Sequence, residues 1–435
     1  MEPTSAGLLA IIILVVLMFL SMPVGLSMIL SGVIGLFLIM GPEAMIQIIS
    51  FKVFSTATNH IFSLIPLFVL MGWFAAVTEL SMDAFTFMEK WMRFIRGGIA
   101  MAVCWASAIF GAVCGSTMVS AVTFVPIALP AMRKAGYKDS LSLGAIAGGA
   151  QLAFLIPPSM GLIWYGILTQ TSIAGLFMAG IIPGILLTTL FCIIIYVMCR
   201  INPSLAPAVR GKVSWRERFK IPVGGIALVL LVLVVLGSIY LGVCTPTEAG
   251  AIGAFGALVL GLVCRRLSWD RFKTAVLESG KTTAFILLLL MGAFILVPMT
   301  AASELPQAVS QWVTGAGLSR WVVLTGIIIL YIFLGCFTDL LSFLIITLPI
   351  FFPVMVNMGF DPLWFGIIVV MVMCIGSLTP PIGIVVFVLS GAVKEVPIFT
   401  IFKGTLPFLL AMVILVIIMI IFPGIVTFLP NLMLK

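Results

Sequence analysis

The chain carries one pattern of backbone breaks twice, 223 positions apart. Pro126-Ile127-Ala128-Leu129-Pro130 aligns with Pro349-Ile350-Phe351-Phe352-Pro353, and Gly136-Tyr137 aligns with Gly359-Phe360. The same offset maps Pro23 onto Pro246, Gly115-Ser116 onto Thr338-Asp339, and Pro157-Pro158 onto Pro380-Pro381. Proline removes a donor and clashes with the preceding turn, while glycine frees the backbone, so both halves must interrupt their helices at matching places. In a hydrophobic chain, paired breaks predict a carrier built from two structural repeats whose breaks mark the binding site.

The chain is 63% hydrophobic and 8% charged over 435 residues. A soluble domain would carry more surface charge and amphipathic periodicity, whereas most of these apolar runs are long enough to cross a hydrocarbon core of ~30 Å. The class predicted is an all-α polytopic membrane protein. The eight cysteines form no C-x-x-C pair and read as small packing residues. His60 is the one histidine, which argues against a His-based metal or acid–base site. Residues 1–22 lack a basic leader and read as a retained first span.

Full spans are predicted near 6–22, 23–41, 61–80, 139–168, 174–200, 221–243, 246–264, 282–300, 362–392 and 402–428. Segments 98–135 and 320–357 are broken midway, at Gly115-Ser116 and Thr338-Asp339. Each half looks too short to span comfortably, so both read as re-entrant helical hairpins. The Pro-Pro pairs make 139–168 and 362–392 discontinuous helices. Placing the basic loop 200–220 in the cytoplasm then puts all but Lys52, Arg320 and Lys435 of the 22 basic residues inside, as the positive-inside rule requires. The net charge of +8 thus reports orientation and gives no soluble basic face for nucleic acid. Both termini fall outside. Each half makes five crossings, so the repeats are inverted. The first repeat is 1–200, with scaffold helices 6–80, arm 81–96, hairpin 98–135, broken helix 139–168 and helix 174–200. A basic linker follows at 201–220. The second repeat is 221–435, with scaffold helices 221–300, arm 301–319, hairpin 320–357, broken helix 362–392 and helix 402–428.

Broken helices leave carbonyl oxygens and amide groups without intrahelical partners. Carbonyl ends with Ser, Thr or Asp oxygens suit a hard cation such as Na⁺, and N-terminal ends suit an organic carboxylate. Candidate Na⁺ groups are Gly115, Ser116, Ile156, Pro157 and, in the second repeat, Thr338, Asp339, Ser342, Gly376, Thr379 and Pro380. Candidate substrate groups are Ser116, Thr117, Ser159, Ser377 and Thr379. The blander reading is that Pro and Gly merely kink packed helices. Four breaks paired across repeats favour the cavity reading, because irregular backbone at membrane depth usually lines one. Asp339, an acid placed within the membrane, is a cation ligand or a cap of the following half-helix. Glu248 reads as a helix cap, and Gln151 as an interhelical hydrogen bond ahead of a substrate contact. The Gly-rich stretches 144–149 and 250–256 read as close helix contacts, since no strand precedes them.

At these same residues the chain resembles a known family. Phe110-Gly111-Ala112-Val113-Cys114-Gly115-Ser116, Pro130-Ala131-Met132-Arg133-Lys134-Ala135-Gly136-Tyr137 and Leu155-Ile156-Pro157-Pro158-Ser159 are similar to the large membrane subunit of TRAP (tripartite ATP-independent periplasmic) transporters. Ile65-Pro66-Leu67-Phe68, Pro246-Thr247-Glu248-Ala249 and Gly376-Ser377-Leu378-Thr379-Pro380-Pro381-Ile382-Gly383 continue the likeness over nearly the whole chain. Departures fall at Val372 and Cys374, where members often carry Asn and Glu, and at Leu340, where Pro is frequent. The resemblance implies an elevator-type, Na⁺-driven importer of organic acids in the bacterial inner membrane. It also implies a small membrane subunit and a periplasmic substrate-binding protein as partners. On it, Ser116, the Pro157 loop, Asp339 and the Thr379-Pro380 loop match the ion-site and substrate-site motifs. The competing functions are a stand-alone anion/Na⁺ symporter, a channel and a membrane enzyme. Against the last stand the missing His cluster, paired carboxylates and activated nucleophile. Paired re-entrant hairpins favour an occluding carrier over a channel.

Overall fold

The computed structural model describes residues 2–207, 223–337 and 340–433. Most of the basic linker expected at 201–220 lies outside the described residues, as do Thr338 and Asp339. Among the described residues there are nineteen α-helices and no strand. The first nine are α1 (Pro3–Phe19), α2 (Val24–Thr58), α3 (Leu64–Val77), α4 (Leu80–Met92), α5 (Gly98–Cys114), α6 (Thr117–Lys134), α7 (Asp139–Leu155), α8 (Met160–Thr169) and α9 (Ile173–Ile201). The next nine are α10 (Val223–Tyr240), α11 (Pro246–Val263), α12 (Trp269–Ala302), α13 (Leu305–Gly315), α14 (Arg320–Gly335), α15 (Leu340–Asn357), α16 (Pro362–Leu378), α17 (Ile384–Ala392) and α18 (Ile398–Ile421). A final helix, α19 (Gly424–Met433), has no counterpart.

Each helix of the first nine therefore has its counterpart nine helices on. Gly136 and Gly359 even share a left-handed φ, at 80° and 81°. The packing is reciprocal. The second scaffold helix of each repeat lies along the third of the other: α2 on α12, and α11 on α3. Likewise α6 meets α17 while α15 meets α8, and α7 meets α18 while α16 meets α9. Contacts of the form i-to-j and j-to-i are the signature of a two-fold relation. On its axis, equivalent residues touch: Cys374 Sγ lies 3.8 Å from the Gln151 carbonyl oxygen, and the two are 223 positions apart. An odd number of crossings before the second copy begins makes the copies inverted.

Local chemistry places the ends. Ser116, Ser159, Ser172, Ser268, Ser319 and Asp361 each accept a hydrogen bond from the backbone three residues on, supplying an orphan amide of the first turn. Thr245 and Glu248 form a reciprocal capping box on α11, the role expected for Glu248. The two halves of each hairpin pack on each other. Phe110 packs edge-on against Phe124 across the first tip, and Tyr331 on Phe343 across the second. Tyr331 Oη also accepts from Thr347 Oγ1 at 2.8 Å.

Four expectations change in detail. The hairpin halves are not short: α6 and α15 have 18 residues each, and Leu340–Asn357 alone is long and apolar enough to cross. They remain hairpins because the chain reverses at each tip. The span expected at 23–41 does end at Gly41, whose φ of 83° and ψ of 175° are not helical, but a further helical stretch follows at once from Pro42 to Thr58. The span expected at 282–300 starts earlier, at Trp269, since α12 runs 34 residues and so about 51 Å at 1.5 Å per residue. The expected span 402–428 stops at Ile421, where Pro423 follows, and α19 turns back against α9.

The two discontinuous helices form the centre. Every residue from Leu141 to Leu155 and from Trp364 to Leu378 is buried, which suits runs that are apolar all round. Outer helices turn Leu8, Ile12, Leu230 and Leu233 outward instead, a surface suited to lipid. Close approach explains the Gly-rich stretch: a Cβ at Gly144 would collide with the Gly404 backbone of α18.

Basic side chains gather on one face. Arg133 holds Asp139 in two bonds of 2.8 and 2.9 Å and reaches Glu395 at 2.9 Å. Lys138 N donates to Leu205 O, joining that cluster to the loop after α9. Arg266 pairs with the buried Asp83 at 3.0 Å, and Arg271 with Glu79 at 2.7 Å, tying the arm α4 to the α11–α12 connection. On the opposite face Tyr165 Oη donates to Pro362 O at 2.8 Å.

Candidate functional site: hairpin tips against broken helices

The first break begins where α7 stops at Leu155. Ile156 is extended, Pro157-Pro158 is a cis peptide, and Ser159 opens α8. Ser159 Oγ donates to Phe154 O and accepts from Leu162 N at 3.4 Å, so one hydroxyl closes α7 and caps α8. Pro157, Pro158 and Ser159 are buried. The second break has the same register and a different chemistry. Thr379 closes α16 with Oγ1 donating to Ile375 O at 2.7 Å, Pro380-Pro381 is cis, and Gly383 opens α17 without a side-chain cap. Pro380, Pro381 and Ile382 are exposed.

Each hairpin tip rests on the break of its own repeat. Gly115 ends α5 in the left-handed region (φ 62°), which a glycine adopts without penalty. A Cβ there would stand 3.4 Å from Met160 N and 3.5 Å from Pro158 O, so the tip is seated on the first loop. In the second repeat Gly383 N donates to Cys336 O at 3.2 Å, and a Cβ at Gly376 would stand 2.8 Å from the Gly335 Cα. Ser342 is buried one turn into α15.

A cavity of about 380 Å³ lies between the tips and the scaffold. Gly115, Ser116 and Thr117 line it from the first tip, with Leu340 and Leu341 from the second and Trp73, Thr282 and Phe285 from the scaffold. Helix α3 reaches the basic face just beyond Val77, and α12 leaves that face at Ser268–Arg271. Trp73 and Thr282 therefore place the cavity in the basic-face half. A second, larger cavity of about 760 Å³ opens on the opposite face, between Lys52, His60, Gln170 and Glu248.

Of the residues singled out from sequence, Gly115, Ser116 and Thr117 face the first cavity. Ser377 does not: it is fully buried, donates to Gln151 Oε1 at 3.0 Å and lies 2.8 Å from Cys374 O, so it joins the two repeats. Gln151 makes the interhelical bond expected of it. Ser159 is engaged in its two caps, and Thr379 and Pro380 lie at the exposed second loop. Ile156 and Pro157 form the covered first loop. Trp73, Thr282 and Phe285 were not foreseen, because no backbone break lies beside them. A tryptophan midway along a span was the available signal. Among the described residues no three His, Cys, Asp or Glu side chains converge. At the far end of α6, away from the cavity, the Arg133 guanidinium holds the Glu395 carboxyl below the usual carboxylate range.

Residues 11–425 match the family described as "Tripartite ATP-independent periplasmic transporter, DctM component". The chain is 33% identical to the C4-dicarboxylate TRAP transporter large permease protein DctM of Pseudomonas aeruginosa, over 92% of this chain and 93% of that one. It is 31% identical to the sialic acid TRAP transporter large permease protein SiaM of Vibrio cholerae, over 96% and 97%. It is also 31% identical to the ectoine/5-hydroxyectoine TRAP transporter large permease protein UehC of Ruegeria pomeroyi, again over 96% and 97%. In fold it is similar to the Alcanivorax borkumensis YdaH transporter, with a TM-score of 0.65 over 89% of this chain and 90% of that one at 15% identity. With the family pattern running almost end to end, the chain belongs to the DctM component family of tripartite ATP-independent periplasmic transporters and is a large permease subunit.

Proposed function

We propose that the chain imports an organic acid by coupling it to Na⁺, in the bacterial inner membrane with its basic face in the cytoplasm and its termini in the periplasm. The observation that carries this reading is the pair of helix breaks at one register, each with a hairpin tip seated on it. Such a tip-on-loop contact concentrates unpaired carbonyls and hydroxyls, which suit Na⁺, beside a helix N-terminus, which suits a carboxylate. Ser116 and the carbonyls around Gly115, Ile156 and Pro157 serve one Na⁺. Thr338, Asp339, Ser342, Gly376, Thr379 and Pro380 serve a second. Thr117 and the opening of α6 receive the carboxylate.

The moving body is 98–168 and 320–392, while 6–80 and 221–300 stay fixed against a small membrane subunit. The arms 81–96 and 301–319 join the two parts. Displacement of the body carries the site from one face to the other without refolding it. A periplasmic binding protein delivers the acid, as the word tripartite in the family description suggests.

The test is uptake into liposomes holding the complete complex and its binding protein. Uptake should follow an inward Na⁺ gradient and need no ATP. Full uptake with K⁺ replacing Na⁺ on both sides contradicts the proposal.

A further inference from the structure

The cavity at the first hairpin tip is chemically lopsided. At one end Ser116 and Thr117 open α6, whose first amides have no partner within the helix. Ser116 Oγ engages one of them, Val119 N, at 3.4 Å. The far wall is Trp73, Thr282, Phe285 and Ile286. Its polar atoms are spent internally. Trp73 Nε1 donates to Thr282 Oγ1 at 3.4 Å, and Thr282 Oγ1 donates to Glu278 O at 2.8 Å. What this wall offers a ligand is ring and aliphatic surface. Lys281, the basic residue adjoining the lining in sequence, is turned to Glu278 at 2.6 Å. Among the described residues no Lys, Arg or His lines the cavity.

A carboxylate leaving water needs a counter-charge or several donors, or the transfer is strongly unfavourable. The α6 end and a cation beside it meet that need once. A second carboxylate at the far wall would meet Trp73 and Phe285 with nothing to neutralise it. The volume, about 380 Å³, also exceeds what a single small carboxylate group fills, so the rest of the ligand must cover apolar wall. We infer that the acid carried by this chain has one carboxylate and an apolar body, of the aryl or branched-chain acid type, and that dicarboxylates are disfavoured. The inference rests on the organic-acid reading above and narrows it. Relatives at 31–33% identity are named for a dicarboxylate, a sialic acid and an ectoine, so overall similarity does not fix the class.

Equilibrium binding of radiolabelled phenylpyruvate and succinate to the purified membrane complex, in saturating Na⁺ and without binding protein, isolates the permease's own preference. Phenylpyruvate should bind at least about tenfold tighter, and Phe285→Arg should narrow that ratio by about tenfold by giving the far wall a cation. Phe285 is half exposed, which leaves room for the longer side chain, and a melting curve checks that the variant folds. Succinate binding as tight as phenylpyruvate, or an unchanged ratio in folded Phe285→Arg, overturns the inference. Na⁺-driven uptake of succinate alone overturns it while leaving the transport reading intact. Failure of every acid to show Na⁺-dependent binding or uptake overturns both.

Discussion

The two hairpins share a register and differ in what surrounds them. Fifteen of the 17 residues of α5 are buried, whereas four of the 16 in α14 are. Helix α5 packs on α3, α4 and α7, while its counterpart α14 packs chiefly on α16 and leaves Val322, Ile329 and Phe333 facing outward. The breaks follow the same division. The first Pro-Pro loop is covered and pinned by Ser159, and the second is exposed, with Thr379 Oγ1 on Ile375 O and a backbone bond from Gly383 to Cys336. Inverted repeats thus copy the backbone and not the environment. Duplication fixes where helices stop, and each half then acquires its own neighbours.

Equivalent substitutions should therefore cost unequal amounts. Ala102 of α5 is fully buried and its counterpart Thr325 is exposed. Ala102→Leu should destabilise by about 1–3 kcal/mol through overpacking, and Thr325→Leu by no more than about 0.5 kcal/mol. Melting of the purified variants measures the gap, and equal shifts would mean that α5 is not the more confined arm.

The second contrast is Ser159 and Ile382, which occupy equivalent positions. Ser159→Ala should cost about 1–2 kcal/mol, for lost capping and an orphaned Phe154 carbonyl. Ile382→Ala, at an exposed loop, should stay within about 0.5 kcal/mol. Hydrogen exchange at Leu162 N should accelerate in Ser159→Ala alone.

Where the repeats meet, the comparison can be sharpened by a double-mutant cycle on Gln151→Met and Ser377→Ala. One direct bond joins these side chains, so a coupling of about 0.5–1.5 kcal/mol is expected. Zero coupling would remove the polar bond between the halves.

The smallest effect concerns the basic face, where Arg133 bridges Asp139 and Glu395. Glu395 has its carboxyl depressed by Arg133. That tether is present above the ordinary carboxylate pKa of about 4.3 and is lost as pH falls through the lowered folded value. Wild-type protein should lose a little stability on acidification through that range, and Glu395→Gln should show a flatter profile. Identical profiles would mean the pair contributes nothing measurable.

The breaks were legible because proline and glycine act on their own backbone, wherever the chain packs. Pro157, Pro380, Gly115 and Gly359 announce themselves without a neighbour. What the chain concealed depends on neighbours. The runs 98–114 and 320–335 are about equally apolar, and only the wealth of Gly, Ala, Ser and Cys in the first hinted that it is the enclosed one. Ser377 stands next to a break and so reads as a site residue, yet its helix turns it toward Gln151. Trp73 and Thr282 enter the cavity wall because α3 and α12 bring them there, from positions 209 apart. Pro42 and Pro423 show the limit of the punctuation itself. The first follows a true break at Gly41 yet opens a further helical stretch, and the second ends a helix within a run that is apolar on both sides.

The most direct measurement is sidedness of thiol labelling at the two tips. Single cysteines at Ser116 and Ser342, in a variant lacking the eight native cysteines, would be treated with a membrane-impermeant reagent from each side. Ser116 lies at a cavity on the basic-face side, and Ser342 belongs to the hairpin entering from the other face. If one body carries both tips between the faces, position 116 labels from the cytoplasmic side when the protein is held inward-facing. Position 342 labels from outside when it is held outward-facing, and Na⁺ with substrate slows both. Labelling of both positions from the same side in every state would contradict the inverted carrier.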